Sequence, residues 1–146
     1  MKTAIDKKEG RFHHPRGIAA DSKWYIYVAD SGNNRIQKFD PNGAFVTQWG
    51  DMGSEDGQFK VPVAVATDIY RNVYVADSRN NRVQLFESDG TYITKLDSEE
   101  TGGRGFSPVG IAVDHDGNIF IADSNSKRIY KFDEEGKFAA KWDAMV

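Results

Sequence analysis

The stretch Ile119-Phe120-Ile121-Ala122-Asp123, separated by four residues from Arg128-Ile129-Tyr130-Lys131-Phe132, decides the fold of this chain. Five-residue runs rich in β-branched and aromatic residues, separated by a short polar loop, read as two strands of an antiparallel hairpin. The pattern occurs twice more upstream, as Ile26-Tyr27-Val28-Ala29-Asp30 with Arg35 and Phe39, and as Val73-Tyr74-Val75-Ala76-Asp77 with Arg82 and Phe86. Asp77 follows Asp30 by 47 positions and Asp123 follows Asp77 by 46. Pro15, Pro62 and Pro108 take the same two steps, and so do Gly43, Gly90 and Gly136. Periods of this length belong to solenoids, propellers and other arrays.

Each copy has room for four strands, which in the first copy are expected at 17–21, 24–29, 35–39 and 45–49. The turns Asp40-Pro41-Asn42-Gly43, Glu87-Ser88-Asp89-Gly90 and Asp133-Glu134-Glu135-Gly136 each end on a glycine, where a tight turn needs positive φ. Sustained helical periodicity is missing, and 51–58 and 97–105 read as polar connections. Each copy is therefore an antiparallel meander. A meander of about 46 residues cannot bury both its faces alone, so the copies must pack face to face. Radial packing of such sheets is an all-β propeller, here one domain over 1–146 with blades at about 12–50, 59–97 and 106–143.

Composition is in keeping with one packed domain: 146 residues, 39% hydrophobic and 12% aromatic. A net charge of −3 gives no electrostatic reason to bind nucleic acid. With no cysteine there is neither a disulfide framework nor a thiolate metal site. The sequence has no apolar run approaching a membrane span, and its first residues lack the apolar stretch of a signal peptide. The chain as given is expected to be soluble, with its compartment left open.

The third copy carries Phe106, Pro108, Gly110-Ile111-Ala112-Val113-Asp114, Gly117-Asn118-Ile119-Phe120-Ile121-Ala122-Asp123 and Arg128 to Phe132. In these residues, and in their recurrence over roughly residues 10 to 143, the chain resembles the NHL-repeat family. Departures are small: Ala64 replaces the glycine, Ala20 and Thr67 stand where Val113 does, and Lys127 replaces the asparagine before the arginine. The resemblance implies a β-propeller, usually of six blades. Three blades make an open arc with an apolar sheet face bare at each end, on the order of several hundred Å² apiece. Two arcs about a twofold axis would make a closed six-bladed homodimer. The alternative is that the remaining blades belong to a larger chain from which this one is excised. The segment Lys2-Thr3-Ala4-Ile5-Asp6, similar to the outer-strand end Ile93-Thr94-Lys95-Leu96-Asp97, reads either as the remnant of a preceding blade or as a latch on a partner's last blade.

Residues present in every copy are explained by what every copy shares, which is packing. The pairs Asp30 with Arg35, Asp77 with Arg82 and Asp123 with Arg128 are suited to bidentate, charge-assisted contacts within or between blades. Phe39, Phe86, Phe132, Trp49 and Trp142 are expected in the inter-blade core. Residues that break the repeat are the better site candidates. Aligned on the prolines, His14 answers to Val61 and Ser107, and Arg16 to Val63 and Val109; Arg79 and Asn125 answer to Gly32. His13, His14, Arg16, Arg79 and Asn125 are expected around the channel mouth, as a docking place for a polar or acidic protein or peptide.

Catalytic constellations are thin, with no nucleophile elbow and no phosphate-binding glycine loop. Three histidines are present, and His115 is expected on the opposite face from the other two, which disfavours zinc. No cofactor is expected. Calcium is the one ion whose ligand spacing is echoed, at Asp114-His115-Asp116-Gly117-Asn118, but the downstream glutamate is missing and a hairpin turn is the simpler reading. The reading is thus a non-enzymatic propeller scaffold that binds itself and a protein or peptide. The alternative is a metal-assisted lyase or hydrolase, because some propellers resembling this family are enzymes. Single-stranded RNA binding, found in some NHL domains, sits poorly with the acidic balance.

Overall fold

The computed structural model describes residues 8–97 and 106–143. The amino-terminal segment likened above to an outer strand lies outside the described residues. Within them are twelve strands. The first blade comprises β1 (Pro15–Ala20), β2 (Ile26–Asp30), β3 (Arg35–Phe39) and β4 (Phe45–Trp49). The second comprises β5 (Pro62–Thr67), β6 (Val73–Asp77), β7 (Arg82–Phe86) and β8 (Tyr92–Asp97). The third comprises β9 (Pro108–Val113), β10 (Ile119–Asp123), β11 (Arg128–Phe132) and β12 (Phe138–Asp143). Each sheet is a four-stranded antiparallel meander in sequence order.

Turn chemistry sets the strand ends. The Oδ1 of Asp21 accepts the backbone N–H groups of Lys23 and Tyr25, at 2.9 and 3.1 Å, which folds 21–25 into a turn with Trp24 at φ 69°. The first strand therefore stops at Ala20 and the second starts at Ile26, inside the expected limits. Asp68 and Asp114 close the equivalent turns with the same bonds. Between the second and third strands of the first two blades lies a single 3-10 turn, Ser31–Asn33 and Ser78–Asn80. Each ends on an asparagine in the left-handed region, Asn34 and Asn81, a conformation this short polar side chain tolerates.

The sheets stack with the back of one blade against the front of the next. Tyr27, Ala29 and Ile36 on the back of the first meet Phe59, Val65, Val75 and Phe86 on the front of the second. Tyr74, Val83 and Leu96 on the back of the second meet Phe106, Ile119, Ile121 and Phe132 on the front of the third. The inner strands β1, β5 and β9 run side by side through both junctions.

The same positions are bare at the two ends. Ile36 and Val83 are 0% and 1% exposed, whereas Ile129, their counterpart on the back of the third blade, is 46% exposed. Phe59 and Phe106 are fully buried, whereas Phe12, their counterpart on the front of the first blade, is 40% exposed. Trp142 at one end is 47% exposed and Ile18 at the other 69%. Phe86, Phe132 and Trp49 lie in the junctions as expected from sequence, while Phe39 and Trp142 face the open ends.

One knob-and-hole contact recurs at each junction. Trp49 of the first blade lies over Gly90 of the second, so close that a Cβ there would sit 2.7 Å from the indole. Leu96 of the second lies over Gly136 of the third, 3.3 Å from an equivalent Cβ. Both glycines have positive φ, 95° and 81°. An alanine at either position bears the same backbone strain, so the neighbour decides the difference: a rigid indole yields less than a leucine methyl. Gly90→Ala is expected to lower unfolding free energy by about 1–3 kcal/mol more than Gly136→Ala. Urea denaturation of the two variants checks this, and equal losses would contradict the packing described.

Candidate functional site

The recurrent aspartate and arginine build a buried knot in the first two blades. Asp30 closes β2, and its Oδ2 accepts from Arg35 Nε at 2.7 Å, Asn33 Nδ2 at 2.9 Å and Gln37 Nε2 at 3.2 Å, all within the blade. Its Oδ1 accepts the backbone N–H of His13 at 2.7 Å. The contact to arginine is single rather than bidentate, because the outer guanidinium nitrogens are engaged elsewhere: Nη2 donates to the carbonyls of Lys8 and Arg11. The second blade repeats this, with Asp77 accepting from Arg82, Asn80, Gln84 and the backbone of Lys60. Arg82 in turn donates to the carbonyls of Ser54, Glu55 and Gln58. The knot ties the segment leading into the inner strand onto the second and third strands. Both charges are buried, so their stability rests on complete hydrogen bonding.

The third blade departs from this plan. Asp123 accepts from the backbone of Ser107 and from Ser126 Oγ, but Arg128 Nε donates to Asp143 on β12 instead. Its neighbours explain the exchange: Tyr130 stands where Gln37 and Gln84 do, and Ser126 where Asn33 and Asn80 do. Ser107 also takes the part of His13 and Lys60, not that of His14 and Val61 as the prolines suggest. The third copy thus lacks one residue between its phenylalanine and its proline, which accounts for the step of 46. The missing position is the one held in the left-handed region by His14 (φ 53°) and Val61 (φ 57°).

These lead-ins and the loops between second and third strands share one end of the arc. Gly32 N donates to His13 O at 2.7 Å, Arg79 N to Lys60 O at 3.1 Å, and Ser124 N to Ser107 O at 3.1 Å. His13 and His14 are exposed there with rings 4.4 Å apart, edge to face, and Arg16, Arg79 and Asn125 are exposed as well. Asn125 does not repeat the bond of Gly32 and Arg79; its N–H turns back to Asp123 Oδ1. His115 lies in the β9–β10 turn at the other end. Among the described residues no three His, Cys, Asp or Glu side chains gather so as to hold a metal ion, and no helix is long and apolar enough to cross a membrane.

A polar cluster that the repeat pattern did not flag lies between the first two blades, at the end opposite the knots. Asp21 Oδ2 accepts from the Tyr27 hydroxyl at 2.7 Å and from Arg71 Nε of the next blade at 2.9 Å. Lys38 donates across the junction to the carbonyl of Ser88, and its ammonium lies 4.7 Å from the centre of the Tyr25 ring, with the Arg71 guanidinium 5.1 Å from the same ring. Burial pushes the Asp21 carboxyl up, but the hydrogen bonds from Tyr27, Arg71 and the turn amides together hold it below its ordinary value. Burial, and after it the bond to Asp21, push the Tyr27 hydroxyl up. The signal in the sequence was a broken repeat: Trp24, Arg71 and Gly117 share one turn position and its left-handed backbone, yet their side chains differ entirely.

The NHL repeat family model matches residues 12–39 and 107–132. In these two spans the chain carries the NHL repeat. The matched spans run from the lead-in to the end of the third strand in the first and third copies, and the second copy, with Ala64 for the glycine, folds into the same sheet. Protein brain tumor of Drosophila melanogaster is 46% identical over 48 residues, 33% of this chain and 5% of that protein. The E3 ubiquitin-protein ligase TRIM71 of Rattus norvegicus is 51% identical over 37 residues, 25% of this chain and 4% of the relative. Among solved structures, a streptogramin B lyase superposes with TM-score 0.69 at 18% identity over 87% of this chain and 39% of its own. The RRP9 WD40 repeats do so with TM-score 0.76 at 10% identity over 94% and 41%. At such identities the likeness is one of fold. The chain spans under half the length of these propellers and a small fraction of the curated relatives.

Two outcomes follow for the NHL knots and the junction. Asp77→Asn leaves the buried Arg82 without its counter-charge and is expected to cost about 3–5 kcal/mol. Asp123→Asn is expected to cost less, since Arg128 bonds elsewhere; equal losses in denaturant titrations would contradict the exchange of partners. Because the folded carboxyl of Asp21 lies below its unfolded value, its contribution to stability is full above about pH 4 and is lost as pH falls through the lower folded value. Asp21→Asn is expected to flatten that part of the stability–pH curve, and an unchanged curve would contradict the role given to Asp21.

Proposed function

We propose that this chain is a non-enzymatic NHL-repeat scaffold whose two open ends meet those of a second copy, closing a six-bladed ring that holds a protein or peptide on its loop end. The observation that carries the reading is the match between the bare ends and the two halves of the covered first junction. The back of the third blade offers Phe120, Ala122, Ile129, Lys131 and Trp142 where the back of the first offers Tyr27, Ala29, Ile36, Lys38 and Trp49. The front of the first blade offers Phe12, Ile18 and Phe39 where the front of the second offers Phe59, Val65 and Phe86, and Val28, already buried, stands where Val75 does. The knob and the hole are also present: Trp142 corresponds to Trp49, and Gly43 to Gly90. Among the described residues, its two chain neighbours apart, none comes within 4 Å of where a Cβ on Gly43 would lie.

Apposing the third blade of each copy to the first blade of the other uses both ends of both chains, a closed twofold arrangement with no further apolar face to extend it. On the loop end, His13, His14, Arg16 and Arg79 supply exposed aromatic and cationic groups from two neighbouring blades, a chemistry suited to an acidic peptide. Arginine anchors of this kind contribute most where a partner desolvates them.

Sedimentation equilibrium is expected to give twice the 16.3 kDa chain mass, and Trp142→Glu to return it to one. In a closed ring Gly43→Ala would harm stability as much as Gly90→Ala, whereas in a lone arc it would add only backbone strain. A folded chain of single mass at all concentrations would overturn the ring. Retention of binding to an acidic peptide library after Arg16→Ala and Arg79→Ala would overturn the loop end.

A further inference from the structure

The second junction contains an open groove where the first is filled. At the first junction the space beside Asp21 and Tyr27 is occupied by four large side chains: Tyr25, Lys38, Trp49 and Arg71 of the next blade. Their counterparts at the second junction are Asn72, Leu85, Leu96 and Gly117, all smaller. Asp68 and Tyr74 are retained in place of Asp21 and Tyr27, with the Tyr74 hydroxyl donating to Asp68 Oδ2 at 3.0 Å. A cavity of about 490 Å³ results, with Leu85 and Tyr74 in its wall and Asp68, Asp116 and Glu134 among the residues that line it. Among the described residues no arginine or lysine pairs with Asp68. The Asn72 amide donates to Asp68 Oδ2 at 3.1 Å, satisfying the oxygen without supplying the charge or the bulk that Arg71 brings to Asp21.

We propose that this groove binds a cationic side chain of a peptide, arginine in the first instance. The first junction serves as the template. The incoming guanidinium takes the acceptor on Asp68 that Arg71 takes on Asp21, displacing the neutral Asn72 amide, while its methylene stem covers Leu85. Exchange of an amide donor for a charged one strengthens the hydrogen bond, and the acidic lining adds long-range attraction. A neutral ligand of the same shape gains neither. The groove lies at the end of the arc opposite the loops and between two blades of one chain, so the inference does not depend on ring closure or on the loop-end reading.

The test is a titration of the ¹⁵N-labelled protein with N-acetyl-arginine amide, followed by amide chemical shifts. Saturable shifts are expected at Asp68, Asn72 and Gly117, with an affinity in the millimolar range that one side chain can supply. N-acetyl-citrulline amide, which keeps the shape and loses the charge, is expected to bind at least fivefold more weakly. Leu85→Lys builds the ammonium of Lys38 into the groove and is expected to abolish the shifts. Should that variant not fold, Gly117→Arg supplies the guanidinium of Arg71 and carries the same expectation. Absence of saturation, equal binding of the citrulline compound, shifts centred outside the groove, or binding undiminished in the filled variant would each overturn the proposal.

Discussion

A four-stranded sheet with two apolar faces is stable only when both are covered, and this constraint organises the whole molecule. The middle blade meets it: every residue of β6, from Val73 to Asp77, is buried. The outer blades meet it on one side each. Burial of large side chains such as Ile, Phe and Trp is worth roughly 1.5–3 kcal/mol apiece, so an uncovered end forgoes a sizeable share of the stability available to a domain of this size. The bare faces of the first and third blades are therefore the surfaces on which the proposed ring would close.

Polar knots fix the geometry that the apolar faces stabilise. Each inner strand is reached by a segment with few apolar residues of its own, and Asp30 and Asp77 hold those segments through backbone N–H groups while Arg35 and Arg82 hold their carbonyls. A buried ion pair of this kind adds little net stability over an apolar pair, yet removing one partner is costly. Its value here lies in position: the loops at one end of the arc are anchored to the strands by the same atoms in both blades. The third blade, with a shorter lead-in and Arg128 bonded to Asp143, presents a different loop beside them.

Much of this was legible in the chain. Alternating runs bounded by aspartate and glycine turns gave the strands and their order, because a period of two and a positive-φ glycine are local properties. Three identical Asp and Arg positions suggested three identical contacts, and there the reading failed in the third copy. The arginine chooses between Asp123 and Asp143 according to Tyr130 and Ser126, residues whose bearing on it appears only in three dimensions. The omission before Pro108 was hidden for a similar reason, since the prolines align better than the hydrogen bonds. The Asp21 and Arg71 pair joins residues 50 positions apart in different copies. Nothing local marks it beyond the disagreement among Trp24, Arg71 and Gly117.

In the proposed ring the back of the third blade is covered in solution as the back of the first is. Incorporation of 5-fluorotryptophan places one probe at Trp24, one at Trp49 and one at Trp142, and the solvent isotope shift of each ¹⁹F resonance reports its contact with water. With the ring closed, Trp142 is expected to behave as the packed Trp49 does, while Trp24 shifts as an exposed residue. A Trp142 resonance as responsive to solvent as that of Trp24, in a folded protein at high concentration, would contradict it.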